Sequence, residues 1–455
     1  MVIKRLMNMM RLYYHSNNSK EKLSIIKKTL IRQADKFIGQ INSKGFKSPS
    51  ILSELFRTGK FRGILFLIFM PFMLVSQKPK QVDISNLPYY NFGKGVGLTS
   101  PDSVFQFNIR FRIQNRFTYL KNEDKPSAFD GQIRRLRLRF DGFVGNPQFL
   151  YVLQLSFAPG DVGEIEDGEN LNIIRDAVVY YRASSKWNFG FGQTKLPGNR
   201  QRVNSSGALQ LSDRSINNSR FNIDRDFGFF ANFINEYDRQ FSWNVKSAIS
   251  TGDGRNYTRS PDNGLAYTSK IELMPFGKFA RDGVYFEGDQ VREKSPKLML
   301  SGALHYNHKA KRQSGVLGND LLEARNLKSL MLDALFKYRG FAFMSSYMNR
   351  HTSNPVTSNS NGDKVFVFTG KGYDVQTSYL FKNNFELIGR YSNQIAEKSI
   401  QTVFPNQKQY TIGLTKYIWE HAFKIQLETN LDRFKTIDET TKNNFNLRIQ
   451  VEMGI

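Results

Sequence analysis

The chain has 455 residues, 14% of them aromatic, with a mean hydropathy of -0.47, no cysteine and a formal net charge of +25. So low a hydropathy argues against a bundle of membrane helices, which needs repeated apolar runs of about 20 residues, and the missing cysteines exclude disulfides, thiolate metal sites and a cysteine nucleophile. Residues 1–76 hold 14 Lys/Arg and 3 Asp/Glu, leaving 51 against 37 for the rest; a cationic excess in both parts points to an anionic partner, whether nucleic acid, anionic lipid or anions in a channel.

The first elements read as an address. Residues 63–75, GILFLIFMPFMLV, follow Lys60 and Arg62 and precede Val75-Ser76-Gln77. A basic flank, a short apolar core and a small residue at its exit describe a secretory signal over 58–76, too short to span a bilayer as a stable helix. Residues 1–57 are a basic extension expected to be no part of the working fold, as if the reading frame started too early. Residues 77–102 are expected to be a periplasmic linker.

From residue 103 onward the period is two. Phe105, Phe107, Ile109, Phe111, Ile113, Phe117 and Tyr119 share one parity; Gln106, Asn108, Arg110, Arg112, Gln114, Arg116 and Thr118 share the other. Side chains of a strand point alternately to its two faces, so one face is greasy and one charged. The pattern predicts strands over 104–120, 130–144, 148–158, 174–182, 186–194, 224–236, 239–251, 263–274, 297–308, 327–338, 340–350, 372–382, 384–395, 408–417, 421–431 and 444–454. That is an all-β chain: a transmembrane antiparallel β-barrel of about 16 strands over 103–455, with 18 possible if the long link 275–296 conceals a strand pair. Closure is required because hydrocarbon offers no water to an unpaired sheet edge.

The links alternate in length, short ones such as Gly145–Pro147 and Asn383 against long ones such as 159–173, 195–223 and 351–371. Outer-membrane barrels have short periplasmic turns and long external loops. Tyr119, Tyr151, Trp187, Trp243, Tyr347, Tyr391, Tyr417 and Trp419 lie near strand ends, where aromatic girdles belong.

The segment Arg134-Arg135-Leu136-Arg137-Leu138-Arg139-Phe140 sets Arg135, Arg137 and Arg139 against an apolar face; with Arg110, Arg112 and Arg116 of the preceding strand they form a ladder on the lumen side. Guanidinium stays charged and its planar donors fit oxyanions, and rings of Arg and Lys are how a pore favours anions. An unselective wall, with Asp141 and Asp176 neutralising the arginines, stands beside that reading. The longest loop, the third external one by this topology, carries Lys195, Arg200, Arg202 and Arg214, which would line a constriction if it folds inward. The acidic run Asp161, Glu164, Glu166, Asp167 and Glu169 fits no calcium-loop spacing. The five histidines include no paired ligands, and no nucleophile elbow, phosphate loop or zinc motif occurs. The expectation is therefore no enzyme, no metal and no cofactor. The alternating arginines account for the charge better than a nucleic acid does.

The run RRLRLRFDGFVGNPQFLYVLQLSFAPGD, with DAVVYYR and FGFGQTKLPGNRQRVNSSGALQLSDRSI after it, resembles the phosphate-selective porin O and P family, in its form from the Bacteroidota. The resemblance implies an outer-membrane, homotrimeric, 16-stranded porin with an arginine ladder and lysines on an inward third loop; Arg135, Arg137, Arg139 and Lys195 match those motifs. The function expected is passive passage of small anions such as phosphate, with outer-membrane lipid and lipopolysaccharide as surroundings. The alternative is a plugged structural or interaction barrel binding lipopolysaccharide or a partner protein.

Overall fold

A computed structural model describes residues 95–100, 102, 104–162, 172–256 and 264–455. The extension expected over 1–57, the signal over 58–76 and the first part of the linker lie outside the described residues. Among the described residues no helix is long and apolar enough to cross a membrane.

Each run of alternating residues becomes a strand, and each strand of the wall pairs antiparallel with the next strand of the wall. In chain order they are β1 (Val96–Thr99), β2 (Phe105–Asn122), β3 (Ala128–Val144), β4 (Asn146–Ser156), β5 (Ile174–Arg182), β6 (Trp187–Lys195), β7 (Arg225–Asn235), β8 (Ser242–Ser250), β9 (Ala266–Met274), β10 (Lys297–Arg312), β11 (Asp320–Tyr338), β12 (Phe341–His351), β13 (Val356–Ser358), β14 (Lys364–Phe366), β15 (Gly370–Leu380), β16 (Phe385–Ala396), β17 (Asn406–Trp419), β18 (Phe423–Lys435) and β19 (Thr441–Gly454). β19 pairs with β2, from Asn444↔Asn122 to Gly454↔Arg112, and closes the barrel. Sixteen strands make the wall, and β13–β14 is a separate hairpin. All sixteen correspond to the runs read from the sequence. The link 275–296 holds no strand pair, so the count of 18 does not arise.

Alternation decides which face meets lipid. Phe229, Ile249, Leu304, Ile412 and Phe117 are half or more exposed on the outside, while their neighbours Asn232, Lys246, Asn307, Thr411 and Gln114 are buried inside. The inner face is not uniformly polar, since Phe143, Leu150, Val152, Val178 and Tyr180 form an apolar cluster on β3–β5.

Four details depart from the sequence reading. The wall begins before residue 103, because β1 pairs with β2 (Val96↔Ile109 to Thr99↔Gln106), filling the edge of β2 beyond the end of β19. β10 and β11 run on to Arg312 and back from Asp320 through two bulges, which shortens the loop expected over 309–326 to 313–319. Tyr417 is no girdle residue: it shares parity with Thr415, is buried, and donates its hydroxyl to Glu386 at 2.5 Å. Finally, a bulge lies where Gln114 faces Arg135 and Asn115 faces Ile133. The extra residue, Arg134, reverses the parity of β3, so Ile133 and Leu136 both face outward and Arg134 and Arg135 both reach inward.

Candidate pore constriction

The β2–β3 register brings the ladder together. Arg110 stands opposite Arg139, Arg112 opposite Arg137, and Gln114 opposite Arg135. Stacked like charges need counter-charges in a part-buried wall, and each arginine has one. Asp141 takes Arg110 and Arg139, both at 3.0 Å. Glu452 of β19 lies 3.8 Å from Arg112 and 3.4 Å from Lys424. Asp161, on a helical turn α1 (Pro159–Val162) in the second external loop, takes Arg137 at 2.6 Å and Arg175 at 3.2 Å. Asp213 takes Arg116, Arg134 at 2.9 Å and Arg135 at 3.5 Å. Eight guanidiniums and one ammonium thus share four carboxylates.

Asp213 belongs to the third external loop, L3, which spans residues 196–224 and does fold into the barrel. Its apolar residues Leu196, Leu209, Leu211, Phe221 and Ile223 are buried. Around its path the lumen-facing side chains of the wall bind it in turn. Lys270 Nζ donates to Gly198 O at 3.0 Å. Arg112 donates to Ser205 Oγ (3.1 Å) and Ser206 Oγ (2.7 Å). Lys424 Nζ donates to Gly207 O and Leu209 O. Glu428 accepts from Ser212 N and Oγ, both at 2.8 Å. Asp374 accepts from Ser215 Oγ and Asn217, and Arg350 donates to Arg220 O and Asn222 O. Two short helical pieces, α2 (Arg200–Val203) and α3 (Ile216–Phe221), stiffen it; Ser215 caps α3 by accepting from Asn218 N.

The loop cations divide. Lys195 Nζ donates to Val203 O (2.7 Å) and Asn204 O (3.0 Å), tying the start of L3 to itself. Arg202 pairs with Asp224 at 2.7 Å and keeps a fifth of its side chain exposed. Arg200 does not reach the ladder: its guanidinium turns under the loop to Val284 O and Phe286 O, and its backbone N–H donates to Asp333 at 2.8 Å. A guanidinium buried under a loop is most cheaply satisfied by free carbonyls, and the connection 275–296 offers them there.

The sequence reading missed four arginines. Arg134 is turned inward by the bulge. Arg175 and Arg225 sit at strand ends; Arg225 makes two 3.0 Å bonds to Asp176, whose partner was expected to be the ladder. Arg390 of β16 donates to Asp213 O at 3.0 Å. Arg390 alone has lumen-side parity; Arg175 shares the parity of the outward Ala177, Val179 and Tyr181 and is turned inward by a bulge between Asp176 and Ile174. Of the acidic run, Asp161 turns inward, while Glu164, Glu166, Asp167 and Glu169 lie outside the described residues. His305 and His308 face opposite sides, His305 inward against Thr268 Oγ1 at 2.9 Å.

Electrostatics favours the ionised loop carboxylates. Burial alone would raise Asp213, but Arg134, Arg116 and Arg135 outweigh it and hold its pKa well below the ordinary value. Asp161 is likewise lowered, burial being overcome by Arg137 and Arg175.

A closed 16-stranded barrel with an apolar outer belt, a charged interior and a long external loop folded across its lumen is a porin of the Gram-negative outer membrane. Residues 107–270, a stretch that includes the arginine run and L3, match the family described as phosphate-selective porin O and P. No curated protein matches the chain. Among solved structures it is similar to the outer membrane channel DcaP of Acinetobacter baumannii (13% identity, 79% of this chain and 100% of that one, TM-score 0.48). It is also similar to Salmonella typhi OmpF in complex with daunomycin (13%, 78% and 100%, 0.48) and to the trimer form of OmpT, an outer membrane protein of Vibrio cholerae (13%, 76% and 99%, 0.43).

Proposed function

We propose that this porin passes small anions, phosphate among them, down their gradients past the arginine ladder Arg110, Arg112, Arg116, Arg135, Arg137 and Arg139. The observation that carries the reading is the imbalance of the ladder network, in which nine cations share Asp141, Asp161, Asp213 and Glu452. An anion entering such a wall meets an excess of positive charge, whereas a cation meets net repulsion in a medium that screens poorly. Lys195 and Arg202 extend the cationic field onto L3; Arg200 contributes by holding the loop. Lipid surrounds the apolar belt, lipopolysaccharide faces the external loops, and a homotrimer is the assembly we propose.

The test is the reversal potential of the purified protein in a planar bilayer under a chloride gradient, repeated with phosphate added. Chloride-selective steps blocked by phosphate are expected. Cation selectivity would sink the reading. One observation favours the alternative, a plugged interaction barrel binding lipopolysaccharide or a partner protein: L3 is bonded to the walls on opposite sides of the lumen. Folded protein that gives no conductance steps would select it.

A further inference from the structure

At the end of the barrel where the chain makes short turns, one connection is out of scale. Gly145, 183–186, 236–241, 339–340, 381–384 and 420–422 are brief, but 275–296 runs for 22 residues. It turns up into the lumen. Phe279 packs with Met274, Met299, Leu335 and Met344 at its base. Lys337 of β11, itself buried, donates Nζ to Gly283 O at 2.7 Å and to Gly288 O at 2.5 Å, and Asp289 accepts from Gly340 N at 2.7 Å.

The tip of this turn meets L3. Val284 O and Phe286 O receive the Arg200 guanidinium. Glu287, 1% exposed, accepts from Gln201 Nε2 at 3.0 Å and from Gln210 N at 2.9 Å, while its own N–H donates to Ala208 O at 3.2 Å. One carboxylate therefore ties two points of L3 that are nine residues apart in the chain. A long loop crossing a lumen has no ladder of its own, so fixed acceptors beneath it decide where it rests.

We propose that the turn 275–296 is a second pore-defining element, and that Glu287 is the positioning residue through which the periplasmic end holds L3 in place. Arg200 is the reciprocal hook from the loop. L3 then depends on support from below as well as on its bonds to the wall, and the open conductance is set partly at the end opposite the loop's own attachment. This rests on the pore reading for its electrical readout only.

The experiment compares full-length wild type, E287A, E287Q and K337M, with E439Q as a control that removes one charge from an exposed loop. Folding is checked by heat-modifiable migration on gels. In bilayers E287A is expected to raise single-channel conductance about twofold or more and to add open-channel noise. E287Q, which keeps one acceptor, should fall between, and E439Q should match wild type. K337M, which removes two of the turn's bonds to the wall without touching L3, should shift conductance and noise in the same direction as E287A. Trypsin provides a readout independent of conduction: cleavage after Arg200, Arg202 or Arg214 should appear in E287A and K337M and be absent in wild type. Folded variants that conduct with wild-type amplitude and noise and resist trypsin overturn the proposal. A wild type that does not conduct, with E287A nicked in L3, retires the pore reading and leaves the positioning role standing.

Discussion

Asp213 of L3 lies 2.9 Å from Arg134, the extra residue of the β3 bulge. A carboxylate from the loop thus occupies donors that a permeating anion would otherwise use, and Arg116 and Arg135 share it. The ladder as folded is partly saturated by the protein's own side chain.

D213N should therefore make the pore more anion-selective. It removes one negative charge and leaves three guanidiniums without their shared counter-ion. The expected outcome is a several-fold rise in the chloride-to-potassium permeability ratio, read from the reversal potential, with phosphate block at lower concentration. An unchanged ratio in folded protein would place Asp213 off the path.

The converse change is R135Q with R137Q. Each lost charge-assisted hydrogen bond is worth about 1.5–3 kcal/mol. The phosphate concentration for half-block should rise by about tenfold or more, and chloride preference should fall. Titration of single-channel current against phosphate measures it.

The pH response follows from the loop carboxylates. Asp213 and Asp161 are held below their ordinary values by Arg134, Arg116 and Arg135 and by Arg137 and Arg175, respectively, against the opposing effect of burial. A depressed carboxyl contributes stability above its unfolded pKa, about 3.9, and loses it only as pH falls through the lower folded value. The clamps that Asp213 of L3 and Asp161 of the second external loop make on the ladder should thus persist from neutral pH to about pH 4. The difference in permeability ratio between wild type and D213N should be constant across that range, and its loss near pH 6 would contradict the assignment.

Gly142 tests the wall itself. A Cβ at this position would lie 1.9 Å from the Gln106 carbonyl oxygen, inside the β2–β3 ladder. G142A must push the two strands apart at the start of the arginine network. A cost of about 1–3 kcal/mol should appear as a lower midpoint in urea unfolding and a smaller folded fraction on gels, whereas G389A, with open space around its Cβ, should be nearly neutral.

Much of this architecture is visible in particular residues. The parity of Phe105 to Tyr119 sets which face of β2 meets lipid, and the same parity places Arg110, Arg112 and Arg116 inside. Lys195 to Arg214 was recognisable as an unusual loop from its length. Arg134 was not readable, because its parity assigns it to lipid until a bulge adds one residue to β3. Nor was the end of Arg200 under the loop, since its partners are carbonyls of residues more than 80 positions away.

The sequence by itself determined the class of fold, a strand count of 16 or 18 and, away from bulges, the sidedness of the strands. These follow from local rules: a period of two, a wall that must close in hydrocarbon, and turns that differ in length at the two ends. Only the tertiary structure decided that L3 enters the lumen, that Asp213 neutralises three of the arginines and that Glu287 braces the loop from beneath. Those contacts join segments far apart in the chain, and nothing in local periodicity encodes which buried donor will find which acceptor once the barrel has closed.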